Sequence, residues 1–182
     1  MSQNYSVEGK SRKQLRILAM VVRETFNLKE SIWFPIVELL DVLAKVCPSF
    51  SYEIVEDESM PKTIHAETDI ISGHILIKES VYNGACEGNG RDRMTIAHEV
   101  CHFLTLCLFG FRVQRSFGGK IRPCEDPEWQ AKCMAGELMI DKRLVDGMSP
   151  LEISEKCGVS IDAAEYQYEV FRREERHSFL GA

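Results

Sequence analysis

Apolar residues recur at Leu15, Leu18, Ala19, Val22 and Phe26, the three- and four-residue spacing that gives a helix one buried face. Ser11-Arg12-Lys13-Gln14 precedes this run with the pattern of a capping box, so the spacing predicts a first helix starting just after Ser11. Pro35 opens a second helix, with Ile36, Leu39, Leu40, Leu43 and Val46 at helical spacing and Pro48 just beyond its end. The period then changes. Phe50, Tyr52 and Ile54 alternate with polar neighbours, as in a half-buried strand. Residues 66–71 and 74–78 flank Ser72-Gly73, which predicts a β-hairpin. A helix is expected over about 92–108, and Asp126-Pro127 provides an N-cap and first helical residue for another of about 13 residues. Ser149-Pro150-Leu151-Glu152 is a further capping box, Gly158 a helix stop and Ser160 a cap for the last helix.

These elements predict one α+β domain over 1–182: N-terminal helices in 1–48, a small mostly antiparallel sheet and a central helix pair in 49–141, and a helical hairpin in 149–177. Composition agrees, since 182 residues with 45% apolar content can bury a full core. The formal net charge of -6 argues against a general binder of polyanions. No apolar run of ~18 residues is present to span a membrane, and Met1-Ser2-Gln3-Asn4-Tyr5 has neither a charged n-region nor an apolar h-region, so export by a standard signal is not expected. The seven cysteines (Cys47, Cys86, Cys101, Cys107, Cys124, Cys133 and Cys157) are odd in number and lack C-x-x-C pairs. They favour a reducing cytoplasm and exclude a complete intramolecular disulfide framework. Cys101 and Cys133 are expected to pack as small hydrophobes, with oxidation sensitivity the alternative for Cys101.

The chemistry concentrates in His98-Glu99-Val100-Cys101-His102. At ~100° per residue, imidazoles four positions apart sit ~40° apart on one helical face and reach a single ion. Neutral imidazole suits Zn²⁺, which lowers the pKa of bound water toward ~7, and Glu99 between the two ligands is the natural general base. Ordinary histidines on an amphipathic helix are the alternative, but the apolar flanks Met94–Ala97 and Phe103–Leu106 would leave a buried Glu99 without a purpose. A third protein ligand is needed, and the best candidate is Glu128, 26 residues after His102. By position alone, Glu128 either ligates or merely complements the dipole of its helix.

The stretch from Thr95 to His102, followed by Glu128-Trp129-Gln130-Ala131-Lys132-Cys133-Met134-Ala135-Gly136-Glu137-Leu138-Met139, resembles the ImmA/IrrE family of metallopeptidases. The resemblance covers about residues 50–170 and is specific in the two helices. It implies a zincin-like metallopeptidase domain, with His98, His102 and Glu128 as zinc ligands and Glu99 as catalytic base. It also implies a regulatory protein as substrate, with a helix-turn-helix transcriptional repressor as the candidate. Four positions depart from the family pattern: Cys101 for glycine, Lys132 for asparagine, Met134 for phenylalanine and Asp141 for proline. None removes a ligand or the base, but the substrate does not carry over with them. The rival expectation is a non-catalytic regulatory module that keeps zinc for shape and works by binding a partner.

Other features are weaker. His65, His74 and Tyr82 are possible metal or oxyanion groups, but a satisfied structural role is expected for the histidines, while Tyr82 stays open. In zinc peptidases an edge strand pairs with the extended substrate, and Ile75-Leu76-Ile77 is the candidate segment. Residues 110–126 read as a long loop holding Arg112, Arg115, Lys120 and Arg122, a solvated surface or, alternatively, a contact for acidic substrate. His177 falls in a polar tail and is expected to be exposed. The last two helices have helix-turn-helix spacing, but 149–182 carries seven Asp/Glu against four Lys/Arg and no basic stripe, so packing rather than DNA binding is expected. Purified protein should therefore give no sequence-selective duplex shift that weakens with salt; such a shift in a gel assay would overturn this reading.

Overall fold

The computed structural model describes residues 4–109, 114–116 and 121–180. It begins with a short strand, β1 (Asn4–Ser6), followed by the two expected amphipathic helices. In α1 (Arg12–Thr25) the capping box is closed: the Gln14 side chain accepts from the Ser11 backbone N–H at 2.9 Å, and the Ser11 hydroxyl accepts from the Gln14 N–H. Leu15, Leu18, Ala19 and Val22 are buried, as their spacing requires. α2 (Ile36–Val46) buries Ile36, Leu39, Leu40 and Leu43, whereas Val46 in its last turn is exposed.

The sheet departs from a mostly antiparallel arrangement. β2 (Ser51–Val55), β3 (Ala66–Asp69) and β4 (His74–Lys78) form a mixed sheet in the order β2-β4-β3. β4 runs parallel to β2, with Ser51 opposite His74, and antiparallel to β3, with Ala66 opposite Ile77. The physical reason lies in the strand compositions. Ile75 and Ile77 are fully buried and Lys78 is buried too, so the most apolar strand occupies the centre; β2 and β3 carry exposed Glu53, Glu67 and Asp69 at the edges. The segment Ile75-Leu76-Ile77 is thus paired on both sides and is not an edge strand. β2 and β3 are the two edge strands, and of these β3 is hydrogen-bonded to Glu99 through Thr68.

The hairpin itself forms, with a longer connection than two residues. The Asp69 carboxylate accepts from Ile71 N–H at 2.9 Å and from the Ser72 hydroxyl at 2.7 Å, which bends the chain and ends β3 before Ile71. Gly73 closes the turn at φ 72°, where a Cβ would lie 2.1 Å from Ser49 O.

Elements beyond the expected set appear among the described residues, β1 being one of them. α3 (Glu79–Cys86) follows the sheet directly, and β5 (Gln114–Ser116), inside the expected loop, pairs antiparallel with β1. Gly110, Arg112, Gly118, Gly119 and Lys120 lie outside the described residues, as does the side chain of His177. Arg122, at the far end of the same stretch, is ion-paired with Glu125. The central helices are α4 (Gly90–Phe109) and α5 (Pro127–Met139), followed by α6 (Pro150–Cys157) and α7 (Ile161–Leu180). α6 shows the closed capping box at Ser149 and Glu152 and ends at Gly158 in the left-handed conformation, φ 62°. Ser160 accepts from Ala163 N–H at 3.2 Å at the start of α7.

One hydrophobic cluster joins the helices and the three-stranded sheet. Phe34, Ile96, Val100, Met134, Leu138 and Ile153 are fully buried in it, and Val170 and Phe171 carry α7 onto it, so the last two helices do pack. Arg12 and Arg16 on α1 reach buried Glu137 on α5 at 2.9 and 2.7 Å, and Arg16 also reaches Glu174 on α7 at 2.9 Å. All seven cysteines are free. Burial pushes the Cys133 thiol up to about 12 and the Cys157 thiol up to about 11, and raises that of Cys101 as well. Such thiols are inert core groups, which favours packing over oxidation sensitivity at Cys101. Among the described residues no helix is long and apolar enough to cross a membrane.

Gly73→Ala should lower stability by about 3 kcal/mol, because it combines a left-handed backbone with a Cβ against a carbonyl. Urea unfolding checks this, and a midpoint equal to that of the parent would contradict the turn geometry.

Candidate metal centre

α4 is apolar on several sides, with Ile96, Ala97, Val100, Cys101, Phe103 and Leu104 buried. His98 and His102, one turn apart, share the face directed toward the start of α5. Their Nε2 atoms lie 3.1 Å apart, and the rings meet edge to face with centroids at 4.6 Å. Glu128 completes the group: its Oε2 is 3.2 Å from His98 Nε2 and its Oε1 3.4 Å from His102 Nε2. Hydrogen bonding from His102 and then His98 holds the Glu128 carboxyl well below the usual carboxylate range.

The start of α5 is fixed from several directions. Asp126 accepts from Glu128 N–H at 3.0 Å and Pro127 occupies the first helical position, so the first turn is set by local chemistry. Gln130 is buried, and its Nε2 donates to Glu8 O at 2.8 Å and Cys124 O at 2.7 Å. Val7 N–H and Lys10 N–H also donate to Glu125 O and Cys124 O, both at 2.9 Å. An N-terminal segment far away in sequence therefore braces the turn that carries Glu128.

These separations fit a metal ion. With ligand distances of ~2.0–2.1 Å, the edge of a tetrahedron is about 3.3 Å, and the three observed separations bracket that value. His98, His102 and Glu128 form a group able to hold a metal ion, and it is the one such group among the described residues. His102 sits on the buried side of the centre, while the Glu128 side chain is 70% exposed, so the approach is from that side. Glu128 is therefore in the first turn of a helix, as a dipole partner would be, and also within reach of both imidazoles.

Glu99 lies on the neighbouring face of α4 and is buried at 9% exposure. One oxygen of its carboxylate, Oε2, accepts from the Thr68 hydroxyl at 2.7 Å. Beside His98 and Glu99 opens a cavity of about 550 Å³, floored by Met94, Ala135, Gly136 and Ala163. Tyr166 and Gln167 of α7 form part of its wall, so the C-terminal hairpin borders the site as well as packing on the core.

The remaining candidates lie elsewhere. His65 is exposed, and His74 Nδ1 is within 2.8 Å of the Ser51 hydroxyl on β2, a satisfied structural position. Tyr82 sits on α3 beside Tyr52, Asp41 and Cys86, and burial raises its phenol above the ordinary value. Neither histidine belongs to the group able to hold a metal ion. Thr68 and Gln130 were not signalled as site residues by the sequence. The alternation of β3 places Thr68 on the same side as buried Ala66, but the element facing that side is visible only in the fold. Cys101 and Met134 are fully buried, and Asp141 is buried between Arg23, at 3.8 Å, and Arg143, at 2.6 Å.

No protein-family model, curated protein or solved structure matches the chain. Purified protein should bind one transition-metal ion per chain, and His98→Ala, His102→Ala and Glu128→Ala should each lower occupancy. Elemental analysis of folded protein checks this; full occupancy in Glu128→Ala would remove that residue from the centre.

Proposed function

We propose that this chain is a cytoplasmic zinc-dependent endopeptidase with a zincin-like domain, similar to the ImmA/IrrE metallopeptidases. The observation that carries the reading is the convergence of His98, His102 and Glu128 at 3.1–3.4 Å with the buried carboxylate of Glu99 next to them in sequence. Two imidazoles and one carboxylate with an open approach are the donor set of catalytic rather than structural zinc sites. A zinc ion held there supplies Lewis acidity toward a peptide carbonyl and toward water.

The chain's own groups supply the rest. Glu99 takes the proton from the attacking water and returns it to the leaving amine. β3, the edge strand joined to α4 through Thr68, offers its unpaired side to an extended substrate backbone. The adjoining cavity receives a substrate side chain. Only an extended segment fits such an arrangement, so the substrate is a protein with an exposed or transiently opened stretch. The family resemblance points to a regulatory protein, with a helix-turn-helix transcriptional repressor as the first to be tested.

A non-catalytic binding module would keep the three ligands but has no use for a carboxylate buried beside them. Glu99→Gln should retain full metal and lose on the order of 10²-fold or more in peptide cleavage. Cleavage is to be followed by mass spectrometry of candidate repressors co-expressed with the parent and with the variant. Equal cleavage by both would refute the role of Glu99, and an uncut partner held equally by both would establish the binding module instead.

A further inference from the structure

We infer that Thr68 is a positioning residue for Glu99: its hydroxyl anchors one carboxylate oxygen to the edge strand that receives the substrate, leaving the other for the reacting water. This rests on the peptidase reading. The Thr68 Oγ1 lies 2.7 Å from Glu99 Oε2 and 3.2 Å from the Glu99 carbonyl oxygen. A hydroxyl has one proton to donate, and the shorter distance, in the range of a charge-assisted O–H···O⁻ bond, assigns it to the carboxylate.

Geometry makes this contact more than a local satisfaction of polar groups. A glutamate side chain has three rotatable bonds, and α4 fixes only the first of its atoms. Threonine is branched at Cβ and stiff about χ1, so the direction of its hydroxyl follows the strand backbone. That backbone is fixed in turn: Thr68 stands opposite Ile75 in the ladder with β4, and Asp69 closes the adjoining turn through Ile71 and Ser72. The carboxylate of Glu99 is thus located by the sheet as well as by its own helix. Among the described residues no strand pairs with the side of β3 turned away from β4, so substrate pairing there and the placement of the base would act on the same four residues. A segment that pairs along β3 stiffens the strand that aims the base.

Thr68→Val keeps the shape and removes the donor, so kcat should fall roughly 10- to 100-fold with KM within about twofold, because the loss is one of orientation and not of substrate binding. Thr68→Ser keeps a hydroxyl and should recover to within about threefold of the parent. In the Glu99→Gln background, Thr68→Val should cause little further loss, since residues acting as one unit are not additive. Kinetics on the best-cleaved member of a quenched fluorogenic peptide library provide these values, with metal content measured on every variant. Unfolding midpoints of Thr68→Val, Glu99→Ala and the double variant give a readout free of activity, and they should show a combined shift smaller than the sum of the two.

A cleaving parent with Thr68→Val at the same kcat, or with additive losses in the double variant, overturns the role of Thr68 and leaves the peptidase reading standing. A folded, metal-loaded parent that cleaves nothing in a Glu99-dependent way overturns both the peptidase reading and the role assigned to Thr68, whatever the midpoints show.

Discussion

The site depends on the register between α4 and α5. His98 and His102 come from the middle of one helix and Glu128 from the first turn of the other, so their donor atoms converge only at one axial and rotational setting of the pair. Burial fixes that setting. Small side chains at Ala97, Cys101, Ala131 and Ala135 are buried alongside Val100, Met134 and Leu138, which lets two helices approach closely. Cys101 keeps the helix face narrow, and its buried thiol behaves as a small hydrophobe. A slip of one residue in either helix would rotate a ligand by ~100° away from the centre.

Several buried polar contacts hold this register from outside. Glu137 on α5 takes Arg12 and Arg16 from α1, and Arg16 continues to Glu174 on α7, so three helices are tied through one chain of charges. Arg93, at the start of α4, donates to Gly158 O at 2.8 Å and Phe34 O at 2.6 Å and lies 3.6 Å from the Trp33 ring centre. Burial lowers its pKa, but two carbonyls and an aromatic face give the guanidinium partners. Gln130 performs the corresponding task for α5 by joining Glu8 O to Cys124 O. The beginning of each of these two helices is thus pinned by a long polar side chain that reaches at least one backbone carbonyl far away in sequence.

Much of this was legible in the sequence, and the rest was not, for physical reasons. Helix starts carry local signals: Ser11, Asp126 and Ser149 cap where their patterns require, because capping is settled within three or four residues. The two histidines follow from the period of a helix, which no tertiary contact alters. Strand order is a different matter. Ile75-Leu76-Ile77 has the same period whether it lies at an edge or in the centre, and only the competition among three strands for burial places it in the middle. Thr68 and Gln130 act across 31 and 122 residues, a separation at which one residue type gives no signal of its partner. Glu128 lies between these cases, since its position on the helix was legible and its approach to the histidines was not.

The most direct test of the account is X-ray absorption at the metal edge of zinc-loaded protein. Two imidazole nitrogens and one carboxylate oxygen at ~2.0–2.1 Å, together with one further light atom and no sulfur, are the predicted shell. A sulfur scatterer at ~2.3 Å, or a shell unchanged when Glu128 is replaced by alanine, would contradict the assignment of His98, His102 and Glu128 as the metal centre.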